Sequence, residues 1–138
     1  MKSTIAWDGA RSFTGTTDDG FSVKIGTAHG DTAKPGPSAM ELVLMGAGTC
    51  STYDVVSILE KGRQNVTDVT VALDADRAEN PPKVFTRIHM HFTVTGRGVK
   101  EDLVARAIDL SVEKYCSATA MLEKTAEVTH SFTVVEAP

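Results

Sequence analysis

The two cysteines are the residues of this chain whose chemistry is most distinctive. The 138-residue sequence contains only Cys50 and Cys116. A cysteine thiolate is a nucleophile and a metal ligand, and it can be oxidised to a sulfenic acid and then to a disulfide. A free cysteine is also among the most frequently buried residues, where it acts as a small hydrophobic side chain. The residues around each cysteine must therefore indicate whether it is a reactive thiol or a buried core side chain.

Small and hydroxyl-bearing residues surround Cys50. Gly48 leaves room for a ligand, and three neighbouring hydroxyl groups could donate hydrogen bonds to a thiolate: Thr49, Ser51 and Thr52. Asp54 has the opposite effect, because it lies four residues later on the same face of a predicted helix. A nearby carboxylate raises the pKa of a thiol unless a cation offsets it.

Cys116 lies between Tyr115 and Ser117, where one predicted helix ends and another begins. A thiol at a helix N-terminus contacts unpaired amides, which lower its pKa. A junction residue selected for its size is an equally good interpretation of this position.

The elements that would carry these cysteines predict an α+β fold. We predict short strands first, then a loop over 26–36, a long central helix, a β-hairpin, two further helices and a closing strand. The predicted strands are 3–8, 12–16, 21–25, 66–76, 83–95 and 128–135, and the predicted helices end near Lys61, Tyr115 and Thr125.

The central helix has clear start and stop signals. Ser38 and Glu41 form a capping-box pattern at its start, and Gly62 is typical of its end. Its first half is apolar on every face, which predicts burial. Gly46 and Gly48 each cost up to about 1 kcal/mol relative to Ala in a helix, so we expect something to pack against the backbone there.

Composition limits the classes of function. The net charge is −4 and no basic run occurs, which argues against nucleic-acid binding. The length of 138 residues predicts a single domain. No signal peptide and no run of 18 apolar residues is found, so we expect a reducing cytoplasm and no membrane association. A permanent disulfide is uncommon in that compartment.

Several stretches together resemble the OsmC/Ohr family (osmotically inducible protein C and organic hydroperoxide resistance proteins), most closely its YhfA-like branch. They are Pro37–Leu42, Gly48–Cys50, Asp54–Arg63 and Glu113–Ser117. The order of elements is similar across nearly the whole chain, and a second cysteine 66 positions after the first is quite specific. The resemblance implies antiparallel strands wrapped around a long buried central helix, in an intertwined homodimer.

The resemblance also implies a reaction and the residues that perform it. Cys50 would be the peroxidatic thiolate, which reduces an organic hydroperoxide and becomes a sulfenic acid. Cys116 would be the resolving cysteine, and a dithiol, such as a lipoyl group, would reduce the disulfide. Glu41 and Arg11 match the family's orienting carboxylate and activating arginine. No metal or organic cofactor is implied.

Glu41 and Arg11 each have a structural alternative. Glu41 can serve the capping box instead, and nine helical residues place it on the side opposite Cys50. It would reach a thiol only if the helix bent near Gly46 or if it served a partner chain, which we favour. Arg11 is not part of the tight Gly-Arg turn of the family and could be a solvated hairpin residue.

The sequence also allows two other functions. A non-enzymatic dimer of the same fold could bind a small apolar or thiol-reactive ligand, in a pocket lined by Met40, Met45 and Met121. His89 and His91 point to one face of a predicted strand and could bind zinc with a cysteine, although a solvated polar face is the more common arrangement.

Overall fold

A computed structural model describes all residues from Met1 to Pro138. In chain order the elements are β1 Ser3–Gly9, β2 Ser12–Thr17, β3 Ser22–Gly26, α1 Ala39–Lys61, β4 Asn65–Arg77, β5 Phe85–Arg97, α2 Glu101–Leu110, a π-helical turn Ser111–Tyr115, α3 Ser117–Leu122 and β6 Glu127–Glu136. The chain forms two compact units, Met1–Met45 and Gly46–Pro138. The single-domain expectation stays a prediction.

The N-terminal unit is built on the antiparallel sheet β1-β2-β3. Trp7 pairs with Phe13, which in turn pairs with Ile25. The β1–β2 turn passes through Gly9 and Ala10, which have φ values of 101° and 47°. The three predicted strands are confirmed to within one residue at each end.

The C-terminal unit is built on the sheet β4-β5-β6. The predicted hairpin of β4 and β5 is confirmed as an antiparallel pair, with its register fixed by partners such as Val71 and Phe92. β6 instead runs parallel to β5, so that Phe92 also pairs with Phe132. The expectation of antiparallel strands throughout is therefore wrong for this pair. The physical reason is that α2 and α3 carry the chain back across the sheet before β6 begins.

The core of this unit follows the alternation of β5. Four side chains on its inner face are at most 1% exposed: Ile88, Met90, Phe92 and Val94. The period-2 pattern of the sequence predicted this buried face correctly.

The ends of α1 only partly follow the sequence signals. The capping box is confirmed: the Glu41 amide donates to Ser38 Oγ at 3.2 Å, and the Ser38 amide donates to Glu41 Oε1 at 3.0 Å. At the C-terminus the left-handed residue is Arg63 (φ 57°), not Gly62. The predicted end near Lys61 is confirmed, and the Gly62 amide makes the last i→i−4 hydrogen bond of the helix, to the Ile58 carbonyl.

The predicted burial of α1 is incomplete. Its buried residues are Ala47, Gly48, Ser51, Val55 and Leu59. Val43 and Met45 are 42% and 54% exposed, so the apolar first half is only partly covered. By length and composition α1 could cross a membrane, but the core helix of a soluble protein meets the same criteria.

The two glycines of α1 have different surroundings. A Cβ at Gly48 would lie 2.7 Å from Leu73 Cδ1 and 3.5 Å from Val71 Cγ1, so β4 packs against the helix backbone as predicted. At Gly46 nothing lies within 4 Å of that position. Close packing therefore explains Gly48 but not Gly46.

This contrast predicts opposite outcomes for two matched substitutions. Gly46→Ala should raise the free energy of unfolding by up to about 1 kcal/mol, because alanine is the better helix former. Gly48→Ala should lose this gain, because its methyl group displaces Leu73. Urea unfolding of both variants measures the difference. If Gly46→Ala destabilises as much as Gly48→Ala does, another surface must pack on Gly46.

Candidate thiol site

The C-terminal unit brings both cysteines and Asp54 together. The sulfur atoms of Cys50 and Cys116 and a carboxylate oxygen of Asp54 all lie within 4.8 Å of one another. Both cysteines are free thiols in this structure. Cys50 and Asp54 come from adjacent turns of α1, and Cys116 comes from the junction between the π-helical turn and α3.

The π-helical turn determines where Cys116 lies. The predicted helix 101–115 is α-helical only as far as Leu110, and the last five residues form the wider turn. The Cys116 amide donates to the Ser111 carbonyl at 2.7 Å, and Cys116 then adopts an extended conformation that begins α3. Such turns occur frequently at functional sites.

Cys116 is the N-cap of α3, as its position in the sequence predicted. Its sulfur accepts hydrogen bonds from the Thr119 amide at 3.4 Å, from Thr119 Oγ1 at 2.9 Å and from Ser51 Oγ at 3.3 Å. Burial is the largest single influence and raises the pKa of Cys116, but the hydrogen bonds from Ser51 and Thr119 together bring that pKa below its usual value. Hydrogen bonding to a charged form stabilises it.

The environment of Cys50 has the opposite net effect. Burial, followed by the neighbouring Cys116, raises the pKa of the Cys50 thiol, although the backbone amides of Ala118 and Ser117 act to lower it. In this chain Cys116 is therefore the more acidic thiol. Cys50 is the more accessible one, because it is half-buried while Cys116 is only 2% exposed.

Two of the hydroxyl groups near Cys50, those of Ser51 and Thr52, do not act as the sequence suggested. Ser51 donates to Cys116 rather than to Cys50. Thr52 Oγ1 is buried without a hydrogen-bond partner, so its predicted role as a donor to a thiolate is wrong. The reason is geometric: on α1 Ser51 faces the α3 junction, whereas Thr52 lies a further 100° around the helix.

Asp54 is fixed by a residue that sequence reasoning missed. Ser111 is fully buried, and its Oγ donates to Asp54 Oδ2 at 2.9 Å and lies 3.3 Å from the Ser51 carbonyl oxygen. No sequence motif marks Ser111, because its importance arises from the π-helical turn. Thr119 was missed for the same reason, since only the junction geometry directs it towards Cys116.

An open cavity of about 500 Å³ begins beside the site. Its lining residues are Tyr53, Asp54, Ser57, Ile58, Lys61, Leu110 and Tyr115. None of the three methionines predicted to line a pocket contributes, and Met121 is 70% exposed. The cavity combines apolar side chains with one cation, Lys61, and Asp54 connects it to the thiols.

Glu41 and Arg11 belong to the N-terminal unit. Glu41 forms an ion pair with Lys34 and closes the capping box with Ser38. The hydrogen bond from Lys34 and then those from Ser38 lower the pKa of Glu41 from 4.5 to about 2. Arg11 is exposed and donates to the Ala10 carbonyl at 3.3 Å. Whether either residue acts on a thiol stays a prediction.

His89 and His91 form a hydrogen-bonded ladder with β6. Their four ring nitrogens lie between 2.7 and 3.1 Å from the hydroxyl groups of Thr129, Ser131 and Thr133. This arrangement agrees with a polar sheet face, and no cysteine joins the two histidines in a metal-binding cluster.

Comparison with known proteins gives consistent matches. The model of the family described as OsmC-like protein matches residues 29–131. The chain is 50% identical to Protein YhfA of Escherichia coli (strain K12) over 137 residues, which cover 99% of this chain and 100% of the relative.

Solved structures show the same fold. The OsmC-like protein from Mycoplasma pneumoniae superposes with a TM-score of 0.82 at 18% identity, covering 97% of this chain and 96% of the other. An organic hydroperoxide resistance protein OsmC from Legionella pneumophila superposes with a TM-score of 0.70 at 15% identity, covering 96% and 97%. The α+β fold with two sheets and helices is thereby confirmed.

Replacing Thr119 tests the hydrogen bonding of Cys116. In a Cys50→Ser background, Thr119→Val should raise the pKa of Cys116, because a donor at 2.9 Å from its sulfur is lost while the side-chain volume is kept. The thiolate fraction at a given pH near that pKa should fall. Ultraviolet titration of the thiolate measures the shift.

Thr133→Val in the same background is the matched control, because Thr133 contacts His91 on the outer sheet face. An unchanged titration curve for Thr119→Val would contradict the assignment of Thr119 as a donor.

Replacing Glu41 tests the lowered pKa of this carboxyl group. Because its pKa is lower in the folded state, its stabilising contribution is complete above pH 4.5 and is lost as the pH falls through about 2. Glu41→Gln should therefore destabilise the protein at pH 7, and the difference from wild type should shrink towards pH 2. Urea unfolding at several pH values checks this, with Glu60→Gln as the control. A pH-independent difference would show that the charge contributes nothing.

Proposed function

Because this chain belongs to the OsmC-like protein family, we propose that it reduces organic hydroperoxides with its two thiols. The family and the fold shared with an organic hydroperoxide resistance protein support a redox or peroxide-related role. The observation that carries the finer proposal is the proximity of the Cys50 and Cys116 sulfurs, within 4.8 Å. Two thiols so close together can form a disulfide after a small side-chain rotation.

Cys50 is the proposed peroxidatic residue. Its thiolate attacks one peroxide oxygen of the substrate, the O–O bond breaks, and the alkoxide leaves with a proton as an alcohol. Cys50 is left as a sulfenic acid, oxidised by two electrons. The greater exposure of Cys50 supports this order, because a hydroperoxide must reach the first thiol, and Cys116 is only 2% exposed.

Cys116 is the proposed resolving residue. Its thiolate attacks the Cys50 sulfur, the S–O bond breaks, and the hydroxyl group leaves as water. The hydrogen bonds that lower the pKa of Cys116 support this role, since only the thiolate performs the attack. A dithiol, such as a lipoyl group, then exchanges with the disulfide, which restores both thiols and oxidises the dithiol.

An intertwined homodimer is part of the proposal. In that dimer Glu41 and Arg11 would act on the thiol of the other subunit, and the Arg11 cation would counter the raised pKa of Cys50. Exposed apolar side chains support a covered surface, among them Trp7 at 70% and Phe21 at 74%. We place the reaction in a reducing cytoplasm, where a disulfide is transient.

A ligand-binding dimer without turnover is the second candidate. The cavity of about 500 Å³ favours it, because such a volume is typical of small-molecule sites. This candidate requires no change in the oxidation state of either thiol, and that difference separates the two functions.

Counting free thiols after adding cumene hydroperoxide to the reduced protein tests the enzyme. We expect both thiols to be lost and to return after treatment with a dithiol, because each cycle ends in a disulfide. Unchanged thiols would favour the ligand-binding function.

Single variants then assign the roles of the cysteines. Cys50→Ser should consume no hydroperoxide, whereas Cys116→Ser should consume about one equivalent and leave a sulfenic acid that a dimedone-type reagent traps. Ser57→Ala, which changes the cavity but neither thiol, is the control. The reverse pattern would make Cys116 the peroxidatic residue.

A further inference from the structure

We propose that Cys50, Asp54 and Cys116 together form a zinc site, in which a water molecule completes the coordination. The three side chains supply two sulfur ligands and one oxygen ligand within 4.8 Å of one another. Three protein ligands and one open position are the usual arrangement of accessible zinc sites. The site uses the same thiols as the proposed peroxidase but does not depend on that activity.

The spacing of the ligand atoms suits zinc. With Zn–S bonds of about 2.3 Å and Zn–O bonds of about 2.0 Å, tetrahedral geometry places the ligand atoms roughly 3.5–3.8 Å apart. The observed separations of at most 4.8 Å need to close by no more than about 1.3 Å. Side-chain rotations of Cys50 and Asp54, which lie one turn apart on α1, can supply this movement.

Further hydrogen bonds hold two of the ligands in place. Ser111 Oγ donates to one carboxylate oxygen of Asp54 at 2.9 Å and leaves the other for a metal ion. The Thr119 amide and hydroxyl group and Ser51 Oγ donate to the sulfur of Cys116. Metal ligands are typically oriented by such partners. The donor Ser111 is fully buried, so this support is part of the core.

The charges of the site favour a cation. Two thiolates and a carboxylate carry three negative charges, and Asp54 makes no ion pair with a lysine, arginine or histidine. A divalent ion reduces the total to −1 and replaces the repulsion between the ligands by coordination. Sulfur-containing ligand sets select zinc over magnesium or calcium.

The cavity provides a route for the ion. Asp54 lies both in its lining and in the ligand set, so a hydrated ion in the cavity meets one of the three ligands directly. Binding displaces a proton from each thiol. A hydroperoxide that oxidises the two thiols to a disulfide, and is itself reduced to an alcohol and water, removes both sulfur ligands and releases the ion, so bound zinc and the disulfide exclude each other.

Titration of the reduced, chelator-treated protein with Zn²⁺ tests the proposal. Calorimetry in two buffers should show one ion per chain and the release of about two protons. Titration with Cd²⁺ should give the ultraviolet charge-transfer band of a thiolate-bound ion. Absence of binding at equimolar, micromolar concentrations would overturn the proposal.

Variants distinguish the three-ligand site from zinc binding by the two thiols alone. Ser111→Ala, which removes the orienting donor, should weaken zinc binding about ten-fold or more, and Asp54→Asn should weaken it further. Glu113→Gln removes the same charge from the exposed side of the π-helical turn and should have no effect. Equal binding by Asp54→Asn and wild type, or equal weakening by Glu113→Gln, would overturn the role of Asp54. Circular dichroism confirms that each variant is folded.

The hydroperoxide assay on chelator-treated wild-type protein separates this proposal from the proposed function. Thiol oxidation without zinc binding would support the peroxidase and overturn the zinc site. Zinc binding without thiol oxidation would identify a metal site and reject the peroxidase.

Discussion

Two thiols and a carboxylate, each able to carry a negative charge, lie within 4.8 Å of one another in the C-terminal unit. Two full charges of the same sign at about this distance repel by roughly 3–4 kcal/mol at an effective dielectric constant of 20. A cation that joined the three groups would offset this repulsion. The neighbouring donors are arranged around this constraint, since α3 directs amides at both sulfurs and Ser111 donates to the carboxylate.

The two sulfurs respond to this constraint unequally. Cys116 is nearly inaccessible and accepts three hydrogen bonds, which favour its thiolate. Cys50 is more accessible, and its proton is retained more strongly because of burial and the neighbouring thiol. The environment of Cys116 suits a resolving thiol, which reacts only after the other cysteine has been oxidised. The environment of Cys50 suits a thiol whose reactivity depends on an external cation, whether an arginine across a dimer or a metal ion.

The sequence predicted much of the scaffold but less of the site. The capping box of α1 and the alternation of β5 depend on local patterns, and both were predicted correctly. The π-helical turn was not, because tertiary packing rather than local propensity decides between i+4 and i+5 hydrogen bonding. Ser111 and Thr119 consequently gave no signal, although they orient Asp54 and Cys116. Gly46 and Gly48 looked equivalent in the sequence, and only the position of Leu73 separates them.

The same geometry makes metal binding and disulfide formation alternatives rather than independent properties. Both use the lone pairs of the same two sulfurs, and a disulfide requires them to approach to about 2.05 Å, whereas two sulfurs on one zinc ion stay nearly twice as far apart. Asp54 can contribute a ligand only to the metal-bound arrangement, because a disulfide uses the two sulfurs alone. A carboxylate kept beside two thiols by a buried serine is therefore favourable for a cation site. Zinc occupancy would keep both thiols reduced until oxidation of either one released the ion.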